Sequence, residues 1–514
     1  MFVTLLLKEV RHHLLTFRFA AALATTLILV VVSVWVLGDD YIRRRNAYNL
    51  AADASAQANR EVYVPSEISP TVHRPPSSLS IFAQGEDCRF GNTIQVNRWE
   101  VPREAEGSFN DNMLLAAEPA LDLYTIFAIV VSLFGILFSY DAVSGERETG
   151  TLKLQCTTPI SRGTLFAAKF TGGIICLAIP FLLSFTGGLI LLSFSSGLRF
   201  TPEQWSAIGL MVFAGLLYGA VFVATGLACS AIVRRSSVAL VLSLLVWALF
   251  VLLIPSAANS AADVLAPVPS AAELANIEKT SLQEAAASLR EFRERYPRYW
   301  LGLYTSGWSI PGRGGCLKFD GGEMDYRHGE EWIRTFEPMM QGRAERIWDA
   351  FYRGEGQRRR HAEVFEILSL PSPTHHLRMA FMALAATDYR AYGNFLEGAR
   401  RYRRRMITEL ESRGFFSDNA SQFFSRRPAS DIDDGKYAAR RLYYRQQEAL
   451  GREDSEFMGP DLWGPLPPEE IPQFEYLPAQ SDFAGSLQPM GILAAIAAIL
   501  FAIGFVAFIR YDVR

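Results

Sequence analysis

The segment SYDAVSGERETGTLKLQCTTPISRGTLFAAKF, from Ser139 to Phe170, is rich in charge and turn residues and separates two long apolar runs. The flanking runs, Leu123–Tyr140 and Phe170–Phe194, are each close to the ~20 apolar residues that a membrane helix needs. So short a polar segment between two membrane spans predicts a constrained loop at one membrane surface. We call Ser139–Phe170 the coupling segment.

The apolar runs of the chain predict its architecture. None of the six long runs contains Lys, Arg, Asp or Glu, and an ionised group at mid-bilayer costs about 2.5–3.5 kcal/mol on insertion scales. The sequence of 514 residues therefore predicts an α-helical polytopic membrane protein with six transmembrane helices and a mainly helical α+β external region. The predicted spans are Phe19–Leu37, Leu123–Tyr140, Phe170–Phe194, Ile208–Val233, Val238–Ile254 and Met490–Ile509.

The first 18 residues alternate apolar and basic side chains at helical spacing. Leu6, Val10 and His13 fall on one face, whereas Lys8 and Arg11 lie largely on the other. The pattern predicts an amphipathic helix over residues 1–18 that lies on the membrane surface. The alternative is an ordinary start to the first span.

The distribution of basic residues predicts the orientation. Most Lys and Arg residues near span ends lie on the side of the termini and of the coupling segment, which the positive-inside rule assigns to the cytoplasm. Arg43–Arg45 opposes this orientation, but it begins a segment of about 85 residues, and long segments translocate largely regardless of charge. The coupling loop is then residues 141–169, and two large regions, 38–122 and 255–488, are external.

The external regions carry mixed patterns. In the first, a helix is predicted over Tyr41–Arg60 and short strands over Arg74–Asp87 and Asn92–Val101. The second is predicted to be mostly helical. Its candidate helices are Ala271–Tyr296, Gly342–Leu370, Leu377–Arg413 and Lys436–Leu450. Two basic runs, Arg358–His361 and Arg400–Arg405, are interpreted as solvated helix faces or as contacts with anionic lipid or an acidic glycan.

Two of the five cysteines, Cys88 and Cys316, fall in the predicted external regions, one in each. A lone pair in an oxidising compartment is a disulfide candidate. Two separate free thiols are an equally open alternative, because a sequence does not show whether two Cα atoms come within reach.

The coupling segment superficially matches a phosphate-binding loop at Gly145–Thr151. It lacks the lysine of that motif, and Glu146 and Glu148 would repel phosphate oxygens. Its polar face, its glycine turns and a short helix with an apolar side instead predict a docking element for another protein. An ordinary solvated loop is the alternative.

The same residues resemble a known family. DAVSGERETGTLKLQCTTPISRGTLFAAKF is similar to the loop between the second and third spans of ABC type-2 permeases, in the branch of the gliding-motility and nitrous-oxide-reductase-maturation permeases. Weaker similarities occur throughout the chain. They are PSSLSIFAQG (Pro76–Gly85), VWALFVLLIP (Val246–Pro255), LPSPTHHLRMAFMALAATDY (Leu370–Tyr389), where Ala386 replaces a common glycine, and FIRYDVR (Phe508–Arg514).

The resemblance implies a non-enzymatic permease subunit in a bacterial inner membrane, with both termini in the cytoplasm. Such a subunit pairs with an identical or related permease and rests its coupling segment on a separate ABC ATPase, which alone binds ATP and Mg²⁺. No cofactor or metal is expected on this chain. The residues implied in coupling are Asp141, Gly145, Glu146, Arg147, Glu148, Gly150, Thr151, Leu152, Pro159 and Arg162.

Three functions remain open from the sequence. The first is ATP-driven export by an ABC permease, and the second is a mechanical coupler that moves a periplasmic partner without transporting a solute. The third is a membrane-anchored external enzyme or receptor. Against the third, His375 and His376 are adjacent, and neighbouring helical side chains point about 100° apart, which is poor for shared metal ligation.

Overall fold

A computed structural model describes residues 2–60, 68–85, 87, 90–107, 122–156, 160–194, 199–295, 326–412, 471–476 and 480–510. The described chain is mostly helical. In chain order its helices are α1 Phe2–Leu14, α2 Phe17–Arg60, α3 Leu123–Leu137, α4 Ser144–Glu148, α5 Thr151–Cys156, α6 Arg162–Phe194, α7 Pro202–Ile232, α8 Ser236–Leu265, α9 Ala271–Arg295, α10 Tyr326–Ser369, α11 Pro373–Ala385, α12 Tyr389–Ser412 and α13 Phe483–Ile509.

Five described helices, α2, α6, α7, α8 and α13, are long and apolar enough to cross a membrane. The second predicted span coincides with a shorter apolar helix, α3. Helices α3 and α8 each contain a π-helical segment, Ile126–Val131 and Leu249–Leu253. Such segments widen the helix locally and leave some carbonyls without their usual partner.

Helix α2 corrects one boundary. The sequence predicted a span ending at Leu37 and a separate helix from Tyr41, but α2 is continuous through this point. Ion pairs one helical turn apart bridge the predicted break, with Arg44 Nε 2.8 Å from Asp40 Oδ2. Gly38 is needed for packing, because a Cβ there would lie 2.8 Å from Leu192 Cδ1.

The sheet of the described residues has two short antiparallel strands. Strand β1, Thr71–His73, pairs with β2, Thr93–Gln95, with Val72 opposite Ile94. The strand predicted over Arg74–Asp87 is wrong, because Ser78–Ile81 forms a 3₁₀ turn capped by Ser77. The two prolines before this cap have no N–H to donate to a ladder, which disfavours a strand.

The second extramembrane region folds as α9 to α12. The helix predicted over Leu377–Arg413 is two helices, because the chain turns at Ala386. Ala386 has a φ of 53°, the left-handed conformation that usually requires glycine at a helix C-terminus. The candidate helix Lys436–Leu450 lies outside the described residues.

Helix α7 organises the membrane part. Within its apolar window 67% is buried, compared with 17–39% for the other long spans. Gly215 faces the ring of Phe127, and Gly219 faces Leu177, so neighbouring helices approach its backbone closely. Gln204, near the start of α7, binds Ser78 of the first extramembrane region, while the end of α7 meets the coupling segment. The coupling segment and the extramembrane regions therefore lie on opposite faces.

Candidate functional site: the coupling segment

The coupling segment folds as two short helices, α4 and α5, followed by the start of α6. Gly150 separates the short helices with a φ of 75°. Gly145, which the sequence assigned to a turn, lies inside α4 instead. The Thr164 N–H donates to Ser161 Oγ over 3.0 Å, so Ser161 caps the N-terminus of α6. Pro159 lies outside the described residues.

An ionic cluster of Glu9, Lys169 and Glu146 lies beneath α4. Lys169 Nζ is 2.8 Å from Glu146 Oε1 and 3.3 Å from Glu9 Oε1, and the lysine side chain is only 1% exposed. Gln155 Nε2 also donates to Glu146 Oε1 over 2.8 Å. Lys169 on α6 thus joins α1 to α4, and Gln155 connects α5 to the same carboxylate of Glu146.

Glu148 attaches α4 to the start of α8. Its carboxylate accepts the Ser236 N–H at 3.0 Å and the Ser236 hydroxyl at 2.8 Å. These two bonds, the hydroxyl first, lower the pKa of Glu148. Arg147 Nη1 donates to the Val233 carbonyl over 3.1 Å. The short turn between α7 and α8 is therefore held by α4.

Further bonds fix the ends of the segment. Ser230 Oγ, near the end of α7, accepts the N–H groups of Val143 and Ser144 at 3.0 and 2.9 Å. Arg18, at the start of α2, lies 2.7 Å from Asp141 Oδ2. With Arg162 donating to the last carbonyl of α13 at 2.6 Å, the segment is tied to α2, α7, α8 and α13.

Helix α5 divides the apolar side chains of the segment. Leu152 is fully buried against Phe166, Leu227 and Phe508, so it does not provide the exposed docking surface expected from the sequence. Leu154 instead points outward and is 69% exposed. The residues exposed on this face are Glu148, Thr149, Gly150, Thr151, Lys153 and Leu154.

The predicted coupling residues thus fall into two groups. Asp141, Glu146, Arg147, Glu148, Leu152 and Arg162 bind other helices, whereas Gly150 and Thr151 are exposed. Sequence reasoning did not single out Glu9, Lys169, Ser230 or Ser236 as their partners. One signal was available, because Glu9 lies four residues before His13, on the apolar face of α1, where an acidic side chain requires a partner.

Part of each basic run binds the first extramembrane region, whereas Arg359, Arg360, Arg401, Arg404 and Arg405 are exposed, as the interpretation of solvated helix faces predicted. Arg400 Nε donates to the Pro102 carbonyl, and its guanidinium lies 4.9 Å from the centre of the Trp348 ring. Arg403 donates to the carbonyls of Asn97 and Arg98, and burial lowers its pKa. These two arginines are therefore neither solvated nor directed at lipid.

The described external surface contains a cavity of about 310 Å³ beside β1. The polar side chains that line the cavity largely form hydrogen bonds with other protein groups. His73 contacts Ser55 at 2.7 Å and Thr93 at 3.1 Å through its two ring nitrogens, and Tyr402 donates to the Pro472 carbonyl. Burial lowers the pKa of His73. These bonds stabilise the cavity wall rather than converge on a ligand.

The histidines considered for metal ligation, His375 and His376, make other contacts. His375 packs edge-on against Phe365, and His376 Nε2 lies 2.9 Å from the Leu370 carbonyl. Among the described residues, no group of three or more His, Cys, Asp or Glu is arranged to hold a metal ion. Cys88 and Cys316 lie outside the described residues, so their disulfide stays a prediction.

Comparison with known proteins assigns the family. The family described as "ABC-2 family transporter protein" matches residues 4–513, almost the whole chain. The chain belongs to the ABC-2 transporter family. This result confirms the resemblance inferred from the coupling segment, and with the long apolar helices it makes the chain a multi-pass membrane protein.

Two curated relatives are similar over part of the chain, and both are named "Probable ABC transporter permease protein NosY". The protein from Pseudomonas aeruginosa is 35% identical over 136 residues, which cover 26% of this chain and 48% of the relative. The protein from Stutzerimonas stutzeri is 35% identical over 131 residues, which cover 25% of this chain and 47% of the relative. The chain spans about half the length of the curated relatives that it matches.

Proposed function

We propose that this chain is the permease subunit of an ATP-driven ABC transporter and that its coupling segment docks on a separate cytoplasmic ATPase. The ATPase binds ATP and Mg²⁺, and a second permease subunit, identical or related, completes the membrane part. The chain lies in a bacterial inner membrane with both termini in the cytoplasm, and the machine exports a substrate.

The observation that carries this proposal is the attachment of the coupling segment. Its outward face is exposed, whereas its inward face is bound by the ionic cluster, the Glu148 cap and the buried Leu152. A force applied to the exposed face therefore reaches α1 and α6 through buried ion pairs and α8 through the exposed bonds between Glu148 and Ser236. An element that is rigidly bound on one side and exposed on the other is suited to receive motion from a docked partner.

The test substitutes side chains of the exposed face alone. We expect Lys153→Glu combined with Leu154→Ala to reduce co-purification of the ATPase in mild detergent at least tenfold, since loss of ~1.4 kcal/mol of binding is tenfold in affinity. The thermal unfolding temperature should stay unchanged, because both side chains are exposed. Normal co-purification and normal stimulation of ATPase activity would contradict the docking assignment.

A matched control exists on the opposite face. Leu265 is 67% exposed, close to the 69% of Leu154, and Leu265→Ala should leave ATPase binding intact. Charge reversal at Glu146 is a poor test by comparison. Such a substitution would place a second ammonium group beside that of Lys169, and it would disrupt the fold rather than the docking surface.

The contacts between the extramembrane regions favour a second candidate, the mechanical coupler. Arg343 pairs with Glu100, and Arg358 lies 2.9 Å from Glu104, so ion pairs join the second region to the first. Regions joined in this way move together. In the complex with the ATPase, spin labels at Arg401 and at Arg234, which is exposed on the opposite face, should change their separation when nucleotide is added. An unchanged separation in every nucleotide state would exclude this function.

A further inference from the structure

A tight turn at Ser369–Ser372, which we call the hairpin tip, connects helices α10 and α11. Helix α10 ends at Ser369, and α11 begins at Pro373. Ser369 and Ser372 are fully buried, whereas Ile367 and Leu370, on the outer side of the tip, are 64% and 48% exposed. An apolar outer side together with buried hydroxyls is expected for a tip that is inserted among membrane helices, with lipid around it.

The hydrogen bonds of the tip indicate its depth. The turn between α7 and α8 carries Arg234 and Arg235 and therefore lies at a membrane surface. Tyr218 lies 14 residues before the end of α7, and Phe250 lies 14 residues after the start of α8. At 1.5 Å per residue, both are about 21 Å from that surface, within an apolar core about 30 Å thick. The hairpin tip binds both residues and therefore lies at the same depth.

Each bond from the tip leads to a π-helical segment. Ser372 Oγ donates to the carbonyl of Phe250, within the π segment of α8, over 2.7 Å. Tyr218 donates its hydroxyl to the carbonyl of Ala128, within the π segment of α3, over 3.0 Å. Because the tyrosine proton is used there, its oxygen accepts the hydroxyl of Thr374, 3.1 Å away. The hairpin thus reaches both irregular spans through neutral hydroxyl groups.

The two irregular spans are also linked directly. Trp247 Nε1, two residues before the π segment of α8, donates to Ser132 Oγ over 2.8 Å. Ser132 in turn donates to the same Ala128 carbonyl that receives Tyr218. Hydroxyl groups from three different elements therefore converge on the carbonyls of the two π segments, where the regular α-helical pairing is altered.

The far end of α11 is bound to the extramembrane regions. Ser77 donates to the Ala385 carbonyl at 2.7 Å, and Thr387 donates to the Ala83 carbonyl at 3.1 Å. The Asp482 N–H, at the start of α13, donates to the Ala383 carbonyl at 2.9 Å. Helix α11 therefore connects the middle of the membrane part to the extramembrane surface.

We propose that Ser372 and Thr374 form a hydrogen-bond latch that couples the π segments of α3 and α8 to the extramembrane regions through α11. π-Helical segments can change their pairing at small cost, so they are the places where these spans are able to bend. A rearrangement of either segment changes a bond to the hairpin tip. The latch passes that change along α11, and it requires neither ATP nor a bound ATPase.

Hydrogen exchange of the purified chain in lipid nanodiscs tests the latch. In Tyr218→Phe combined with Ser372→Ala, we expect amide exchange in residues 373–385 to rise on the order of tenfold, because two of the three hydrogen bonds that are lost are made by α11 and its N-terminal turn. Exchange in α1 and α6 should not change. Unchanged exchange in 373–385, or an equal rise throughout the chain, would overturn the proposal.

Milder variants keep the test decisive if the double variant fails to fold. Thr374→Val removes the hydroxyl at nearly constant shape and should raise exchange in α11, whereas Thr374→Ser keeps the hydroxyl and should not. Tyr402→Phe also loses a bond to a carbonyl, but in the external region, and should leave α11 unchanged. Equal exchange in the valine and serine variants would contradict a latch.

Coupling between two sites is reciprocal, so the latch also has to operate from the opposite end. Ser77→Ala with Thr387→Val releases the far end of α11 without touching the spans. We expect exchange in residues 126–131 of α3 to rise severalfold in this variant. No change there would show that α11 is only a packed helix.

Discussion

The two ends of the membrane part are held by different chemistry. At the coupling segment, the contacts are ionic, with Lys169 between Glu9 and Glu146 and with Arg18 on Asp141. At the hairpin tip, the bonds to the spans are neutral hydroxyl-to-carbonyl or hydroxyl-to-hydroxyl bonds, from Tyr218, Ser372 and Thr374. The ionic set joins α1, α2 and α6 to the coupling segment, whereas the hydroxyl set joins α11 to α7 and α8 and α7 to α3.

The difference follows from depth. The ionic contacts lie near the membrane surface, where charged groups are tolerated, and the hydroxyl bonds lie where an ionised group would cost several kcal/mol. Removing one partner of a buried ion pair costs about 3–5 kcal/mol, whereas the loss of a neutral hydrogen bond costs about 1–3 kcal/mol. The coupling segment is therefore built to remain rigid, and the hairpin tip is built to rearrange.

The largest expected effect comes from breaking the ionic cluster. In Lys169→Met, Glu9 and Glu146 remain close together without their cation, and loss of one partner of a buried pair costs about 3–5 kcal/mol. We expect the unfolding temperature in detergent to drop by many degrees. Adding Glu9→Gln and Glu146→Gln should restore much of the loss. A stable Lys169→Met protein would show that the cluster is not a rigid anchor.

A smaller effect is expected from overpacking near the hairpin tip. A Cβ at Gly215 would lie 2.2 Å from Phe127, inside the π segment of α3, and overpacking of this kind costs about 1–3 kcal/mol. Gly209 on the same helix has no heavy atom within 4 Å of such a Cβ. Gly215→Ala should therefore lower the unfolding temperature, while Gly209→Ala should leave it unchanged or raise it. Equal unfolding temperatures for the two variants would mean that α3 can shift without loss of stability.

The smallest effect is a stabilisation at the far end of α11. Ala386 has a left-handed φ of 53°, which costs an L-residue with a side chain about 1 kcal/mol relative to glycine. We expect Ala386→Gly to raise stability by roughly 0.5–1 kcal/mol in chemical unfolding. Ala383→Gly, within α11, should do the opposite. A loss of stability in Ala386→Gly would show that its methyl group is required for packing.

Several features were predictable from the sequence because they are local. The apolar runs indicated the long helices, and Ser161 indicated the start of α6. The coupling segment also identified the family, which the match over residues 4–513 confirms. The unusual Ala386 was visible as a departure from a common glycine, although only its φ shows what that departure means.

Other features depended on residues far apart in the chain. The partner of Glu146 lies on another helix, and Glu9 is 160 residues from Lys169. Leu152 could have pointed inward or outward, because α5 is too short for its pattern to choose a face. Arg44, part of a basic run that opposed the predicted orientation, is buried between Asp40 and Asp87, so its charge is neutralised within the fold.

By itself the sequence determined which segments are apolar helices, where the charged coupling segment lies and to which family the chain belongs. Each of these follows from composition and spacing within a few tens of residues. Only the tertiary structure decided that the coupling segment is bound by a lysine of α6 and that α11 enters the membrane part to meet two π segments. Those contacts depend on which helix surfaces meet, and that is set by packing across the whole chain.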